Sequence, residues 1–446
     1  MKKILIAILM FCCVPMFARG DEPEILDKTV PISRLYTAVQ KYNALYDSDF
    51  VFFLEKQISD GIYTLGNLAR ACVNYSKLNS AVTKDTCKNF MNDIIGESQK
   101  VDPNLDFIVT TTPDTKKFEF MISAAGDFTV DCGDGKAPQV INKTDAKKQT
   151  ITCDYDTASV YTIIIGGLAT AYSTEKDKGY PIAAISFAEN KNLAKIEGTL
   201  GAIFPTLDGD SQPVFRKTFY FCDKLTGSIP ANLFAGIKDQ PAEGMFMFTF
   251  GYCWGLTGSI PANLFAGING TPARSMFDYT FSGCSGLSGE IPAELFAGIN
   301  GQPAEHMFNG TFSDCSGLTG PIPPGLFAGI KGPPAEGMFA WTFNDCSGLT
   351  GPIPPGLFAG IKGPPAEGMF NRTFKGCSGL TGSIPEKLFV GINGPWQYRM
   401  FENTFYGCSK LSGTVGSDFF GTIDPPINKS YVDSENIFTN TNVKFQ

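Results

Sequence analysis

Apolar residues change their spacing twice along the chain, and each change marks a different kind of element. Between 22 and about 100 they recur at helical intervals: Leu35, Ala38, Tyr42 and Leu45 form one stripe, and Ile62, Leu65, Ala69 and Cys72 a second. Cys87, Phe90, Met91 and Ile94 form a third. This pattern predicts a small helical domain over 22–105. From Lys116 to about Tyr172 the period falls to two, with Phe118, Phe120 and Ile122, then Phe128, Val130 and Cys132, then Ile151 and Cys153, then Tyr161, Ile163 and Ile165. Alternation of this kind predicts a small antiparallel β domain over 106–175.

Beyond residue 180 the chain becomes repetitive. The form MFxxTFxxCxxLTGxIPxxLFxGIxGxPAxx recurs in seven copies, and their cysteines, Cys222, Cys253, Cys284, Cys315, Cys346, Cys377 and Cys408, follow one another at a constant interval. A divergent copy precedes them, with Phe187, Asn190, Leu193 and Ile196 keeping the spacing and Asn190 in the cysteine slot, which reads as an N-terminal cap. The segment GPIPPGLFAGIKGPPAEGMF occurs unchanged at Gly320–Phe339 and Gly351–Phe370, as duplication would leave it. Phe277, Phe281 and Cys284 lie at i, i+4 and i+7, one face of a helix that Pro272 would open. Leu287 and Ile291 fall in a short extended stretch, and Pro292 starts a helical turn that points Leu295, Phe296 and Ile299 inward and ends at Gly298 and Gly301. No unit can bury its apolar side alone, so the copies must stack. The expected fold class is α+β: an N-terminal helical segment, a small β-sandwich, a repeat solenoid over 180–420 with a short strand and helical segments in each unit, and a C-terminal cap or tail over 421–446.

Two resemblances follow from these motifs. FTVDCGDG followed by ITCDYDTASVYTIII resembles PKD-like β-sandwich domains, with Cys132 where that family usually has Trp or Phe and Cys153 where a His often sits. The Phe-x-x-Cys-x-x-Leu element followed by Ile-Pro resembles the BspA-type leucine-rich repeats of microbial surface proteins, and LTGxIP is also similar to the plant-type repeat. That resemblance implies adhesion or host contact. Two departures stand out. The 31-residue period exceeds the usual range of the family. Pro321 and Pro352 also fall where a central parallel strand needs its amide, so the ladder must be short or interrupted there.

Composition narrows the function. Lys and Arg number 36 against 44 Asp and Glu, for a net charge of -8, and no basic cluster stands in for a phosphate-binding field, so nucleic acid is excluded as a partner. The single histidine, His306, has no nucleophile beside it and reads as a variable surface residue, and no paired carboxylates stand at a catalytic spacing. The expectation is therefore no enzyme and no cofactor. Met1, Lys2 and Lys3 followed by the apolar run Ile4–Phe17 and Ala18 read as a signal peptide over 1–18, too short to span a membrane. An extracytoplasmic location makes Cys72 with Cys87 and Cys132 with Cys153 candidate disulfides. The seven repeat cysteines read as a buried ladder of free thiols rather than metal ligands. Asp131 and Asp134 flank a Gly-Asp-Gly turn and read as turn residues, leaving no metal site, while Arg19-Gly20-Asp21 is too short a match to carry weight.

The slot occupied by Lys217, Phe248, Tyr279, Gly310, Trp341, Arg372 and Asn403 varies while its neighbours do not. Phe248, Tyr279, Trp341 and Arg372 have the composition of a contact stripe and are the candidate ligand-binding residues; the alternative is that they pack over adjacent units. The function this reading implies is an exported interaction protein whose solenoid binds protein or glycan, on a host surface if the adhesion resemblance holds. The alternatives are a structural stalk or self-associating surface-layer component, and an accessory module of a glycan-degrading system. No transmembrane segment is expected.

Overall fold

A computed structural model describes residues 104–207, 212–238 and 240–446, together with Leu68, Ala71, Cys72, Tyr75, Val82, Thr86, Cys87 and Phe90. The signal-peptide reading of 1–18 and most of the helical reading of 22–105 lie outside the described residues.

The alternating stretch forms antiparallel sheets. Strands β1 (Phe107–Thr111), β2 (Thr115–Ile122), β3 (Ala124–Asp131), β4 (Gln139–Lys143), β5 (Gln149–Ser159) and β6 (Thr162–Tyr172) are followed by the short β7 (Lys176–Asp177), β8 (Tyr180–Pro181) and β9 (Ile185–Ser186), then by β10 (Leu193–Gly198). One sheet runs β10-β1-β6-β3-β4, a second runs β5-β2-β9, and β7 pairs with β8 as a hairpin. In β2, Phe118, Phe120 and Ile122 are buried while Lys116, Lys117 and Glu119 are exposed, the alternation that a half-buried strand requires.

The repeats fold otherwise than their apolar spacing predicts. Among the described residues, helix is confined to the 3-10 turn Ser417–Phe420, α1 (Lys429–Ser434) and isolated positions around Cys72 and Cys87. None lies within the first six units, and the 3-10 turn falls in the divergent C-terminal half of the seventh. The run from Ser275 to Cys284 is a chain of turns in which every second amide bonds three residues back, as Asp278 to Ser275 and Thr280 to Phe277 do. The intervening amides bond carbonyls of the following unit, as Phe277 to Met307 and Phe281 to Thr311 do. Every fourth residue turns left-handed: φ is 52° at Ser275, 52° at Tyr279 and 75° at Gly283. This period of four returns Phe277 and Phe281 to one face without a helix.

The expected strand is also missing. Gly258 meets Leu287, Gly289 meets Leu318 and Gly320 meets Leu349 through single parallel bridges. Pro321 and Pro352, one residue past such glycines, have no amide to extend the pairing. Longer parallel pairing comes only at the C-terminal end, where β11 (Gly382–Ser383), β13 (Leu411–Val415) and β15 (Asn442–Phe445) form one sheet and β12 (Asn393–Pro395) pairs with β14 (Thr422–Asp424). The α+β fold class and the BspA-like leucine-rich-repeat solenoid are thereby corrected. Among the described residues the chain is mostly β, in several separate small sheets, with neither a strand-and-helix unit nor a helical flank to curve it. The physical reason is that an i, i+4 apolar spacing is shared by helices and by turn runs of period four, and only the backbone bonds tell them apart.

Neighbouring units pack through rings. Phe246, Phe277, Phe308, Phe339 and Phe370 stack in near-parallel pairs with centroids 5.6–5.8 Å apart. Phe250, Phe281, Phe312 and Phe343 form a second file. Phe187 stacks on Phe219 at 5.7 Å and on Phe120 at 5.1 Å, which carries the β-sheet core into the first unit. At the other end Phe438 stacks on Phe405, and the amides of Asn403, Phe405 and Gly407 bond the carbonyls of Glu435, Ile437 and Thr439. One apolar cluster therefore runs from Phe107 to Phe438.

Candidate functional site

The variable slot and the slot four residues after it build the most aromatic part of the surface. Both adopt left-handed backbone, with φ 59° at Lys217, 55° at Phe221, 55° at Phe248, 61° at Tyr252 and 52° at Tyr279. This conformation lifts their side chains off the buried file, and all five are half-buried. Tyr279 stacks on Phe248 with centroids 4.9 Å apart, and Tyr252 stacks on Phe221 at 4.6 Å. Tyr220 meets Phe221, Phe248 and Tyr252 edge-on, and Trp254, 46% exposed, stands perpendicular to Phe221. Two glycines make room for the rings. A Cβ at Gly310 would lie 2.5 Å from the Tyr279 ring, and one at Gly283 would lie 2.8 Å from the Tyr252 ring. The result is a patch of six aromatic side chains from which Trp254 projects.

Lys217 belongs to the same patch. Its Nζ lies 4.9 Å from the Tyr220 centroid and 5.8 Å from that of Phe248. Burial holds its pKa below the ordinary lysine value, and the nearby Arg216 and Lys178 add to the effect.

The four predicted stripe residues divide between two places. Phe248 and Tyr279 belong to the patch. Trp341 and Arg372 form a separate pair, with the Arg372 guanidinium 4.3 Å from the indole centroid and Lys375 at 5.9 Å. Gly310 separates the two places in the slot, so the stripe is not continuous. Sequence reasoning missed Tyr220, Phe221, Tyr252 and Trp254. The signal present was the slot holding Phe221, Tyr252, Gly283, Asp314, Asp345, Gly376 and Gly407, which is aromatic only in the first two copies.

The cysteines are of two kinds. Cys72 is bonded to Cys87 with Cα atoms 5.7 Å apart, and Cys132 to Cys153 with Cα atoms 5.6 Å apart. Cys222, Cys253, Cys284, Cys315, Cys346, Cys377 and Cys408 are free and buried. Burial pushes their thiols up, that of Cys284 to about 12, so none is poised as a nucleophile. Among the described residues no group of three or more His, Cys, Asp or Glu is placed to hold a metal ion. Asp131 and Asp134 accept the amides of Gly133 and Lys136 within their turn. His306 leans over Gly337 of the next unit, its Nε2 3.7 Å from Glu336. Arg19, Gly20 and Asp21 lie outside the described residues.

Behind the patch, Asp278 is 6% exposed and accepts a 2.9 Å bond from Asn309 Nδ2. Burial outweighs that bond and pushes its carboxyl up to about 7.

The reading of a solenoid that presents a repeated surface for adhesion falls with the architecture, and the stalk, surface-layer and accessory-module readings that shared it fall too. No helix among the described residues is long and apolar enough to cross a membrane. No protein-family model, curated protein or solved structure matches this chain, so neither the PKD-like nor the leucine-rich-repeat resemblance has a matching relative behind it.

Proposed function

We propose that this chain is a non-enzymatic protein-binding module that acts outside the cytoplasm and meets its partner through one local patch: Tyr220, Phe221, Phe248, Tyr252, Trp254 and Tyr279. The observation that carries the reading is Trp254. It is 46% exposed, rests edge-on against Phe221 and fills no core. A large aromatic side chain held in water at the edge of an aromatic cluster is the composition of a contact hot spot. The orientation of the rings favours a protein over a glycan. Phe221 and Tyr252, like Phe248 and Tyr279, cover each other's faces, leaving edges and the projecting indole, which suit the side chains of a protein better than the flat face of a sugar. Two disulfides and the leader-like first eighteen residues support an oxidising location.

The test is site-specific photo-crosslinking. A photoreactive phenylalanine analogue at position 254, in the full chain exposed to the extracytoplasmic fraction of its source cells, should give a discrete protein adduct. The same analogue at the exposed position 294 should give none. Equal labelling from both positions, or none from either, contradicts the reading.

A further inference from the structure

Resting on that reading of the patch, we infer that the partner presents a carboxylate beside its apolar anchor, and that Lys217 receives it. Asp177, one of the two acids whose charge acts on Lys217, is engaged with Arg216 at 3.3 Å. Asp177 and Glu189 both attract Lys217 from a distance, but among the described residues no carboxylate forms an ion pair with it. Its ammonium is instead half-buried on the Tyr220 and Phe248 rings, next to the additional positive charges of Arg216 and Lys178. A cation held partly out of water without a counter-charge is unfavourable in the free protein and becomes favourable when a partner's anion arrives. Its depressed pKa agrees with that account. The other column cation, Arg372, differs in lying over a single indole, that of the half-buried Trp341. A carboxylate set against aliphatic or aromatic side chains therefore complements the patch in both charge and shape.

The experiment is a random twelve-residue peptide display selection on the immobilised full chain, counter-selected on the Trp254→Ala variant. Recovered peptides should carry Asp or Glu next to large apolar residues. They should bind Lys217→Met about tenfold more weakly and Lys217→Arg nearly as well as wild type, with affinity falling as salt rises. Trp254-dependent peptides without acidic enrichment, or with unchanged affinity for Lys217→Met, overturn the carboxylate inference and leave the patch intact. Recovery of no Trp254-dependent peptide overturns the patch itself. In a parallel arm, binding of oligogalacturonate that is lost in both Lys217→Met and Trp254→Ala, with no peptide recovered, assigns the site to an acidic glycan and overturns the proposal.

Discussion

The thiol of Cys346 donates to the carbonyl oxygen of Phe312, 34 residues earlier, at 2.9 Å. Cys253, Cys284, Cys315, Cys377 and Cys408 repeat the same bond at 2.9–3.0 Å, each to the phenylalanine 34 residues before it. Each such carbonyl also accepts its own unit's amide, as Phe312 does from Cys315. The thiol is thus a second, weaker partner that ties one unit to the next from inside the core.

The ladder should be chemically silent until the fold opens. Under native conditions at pH 8 a thiol reagent should modify the seven cysteines only on the timescale of unfolding, and in denaturant all seven should react at once. Cys346→Ala should cost about 1–2 kcal/mol, from a small cavity and one lost weak bond. Rapid modification of the folded protein contradicts this packing.

Asp278 should make stability depend on pH in an unusual direction. Its folded pKa is raised to about 7, so between its ordinary value and about 7 the folded state holds a proton that the unfolded state has released. The protonated form is fully favoured at low pH, and its stability is lost as pH rises through about 7. Stability measured by denaturant unfolding should therefore fall between pH 5 and pH 8, by up to about a few kcal/mol from this group. Asp278→Asn should flatten that slope and be the more stable chain at pH 8. An unchanged slope in the variant assigns the titration to another group.

Trp341 and Trp254 should separate packing from contact. Trp341 is half-buried beneath Arg372, so Trp341→Ala should lower stability by about 1–2 kcal/mol through lost apolar and cation–π contact. Trp254→Ala should change stability by no more than about 0.5 kcal/mol. Equilibrium denaturation of the two variants gives the comparison, and the opposite order contradicts the placement of the patch.

What the sequence revealed and what it hid follow from one physical distinction. Burial is written in residue type and spacing: the phenylalanine files, the cysteines and the inward Leu295, Phe296 and Ile299 are all identifiable as core residues from the repeat alone. Backbone conformation is not written there. Phe277 and Phe281 share a face whether the chain between them is a helix or a left-right alternation of turns, and the deciding bonds go to Met307 and Thr311 of the following unit. Three slots held a clue: Ser275, Tyr279 and Gly283 stand where Gly244, Phe248 and Tyr252 stand one unit earlier, and glycines recur at just those left-handed positions. The proline after Gly320 or Gly351 was the second clue, since it has no amide to extend parallel pairing there, and the units with Ser259 or Glu290 at that position pair no further. The patch was half legible. Phe248 and Tyr279 stood out in a variable slot, whereas Tyr252 lay in a slot filled mainly by glycine and aspartate in later copies, and Trp254 where those copies carry serine.

The fold rests on a repeating unit whose rings, amides and thiols all bond to its neighbours. Deleting one whole unit, Gly320–Thr350, joins Thr319 to Gly351 and keeps the core rings, backbone amides and thiols in the same register, at the loss of the Trp341–Arg372 contact. Deleting about half a unit, Gly320–Ala335, removes Phe327 and leaves its neighbouring rings Phe308 and Phe339 facing a void. In thermal melts followed by near-ultraviolet circular dichroism, the whole-unit deletion should unfold in one cooperative transition close to that of the full chain, and the half-unit deletion should lose that transition. Equal melting of the two deletions, in either direction, would contradict the unit-to-unit register on which the fold depends.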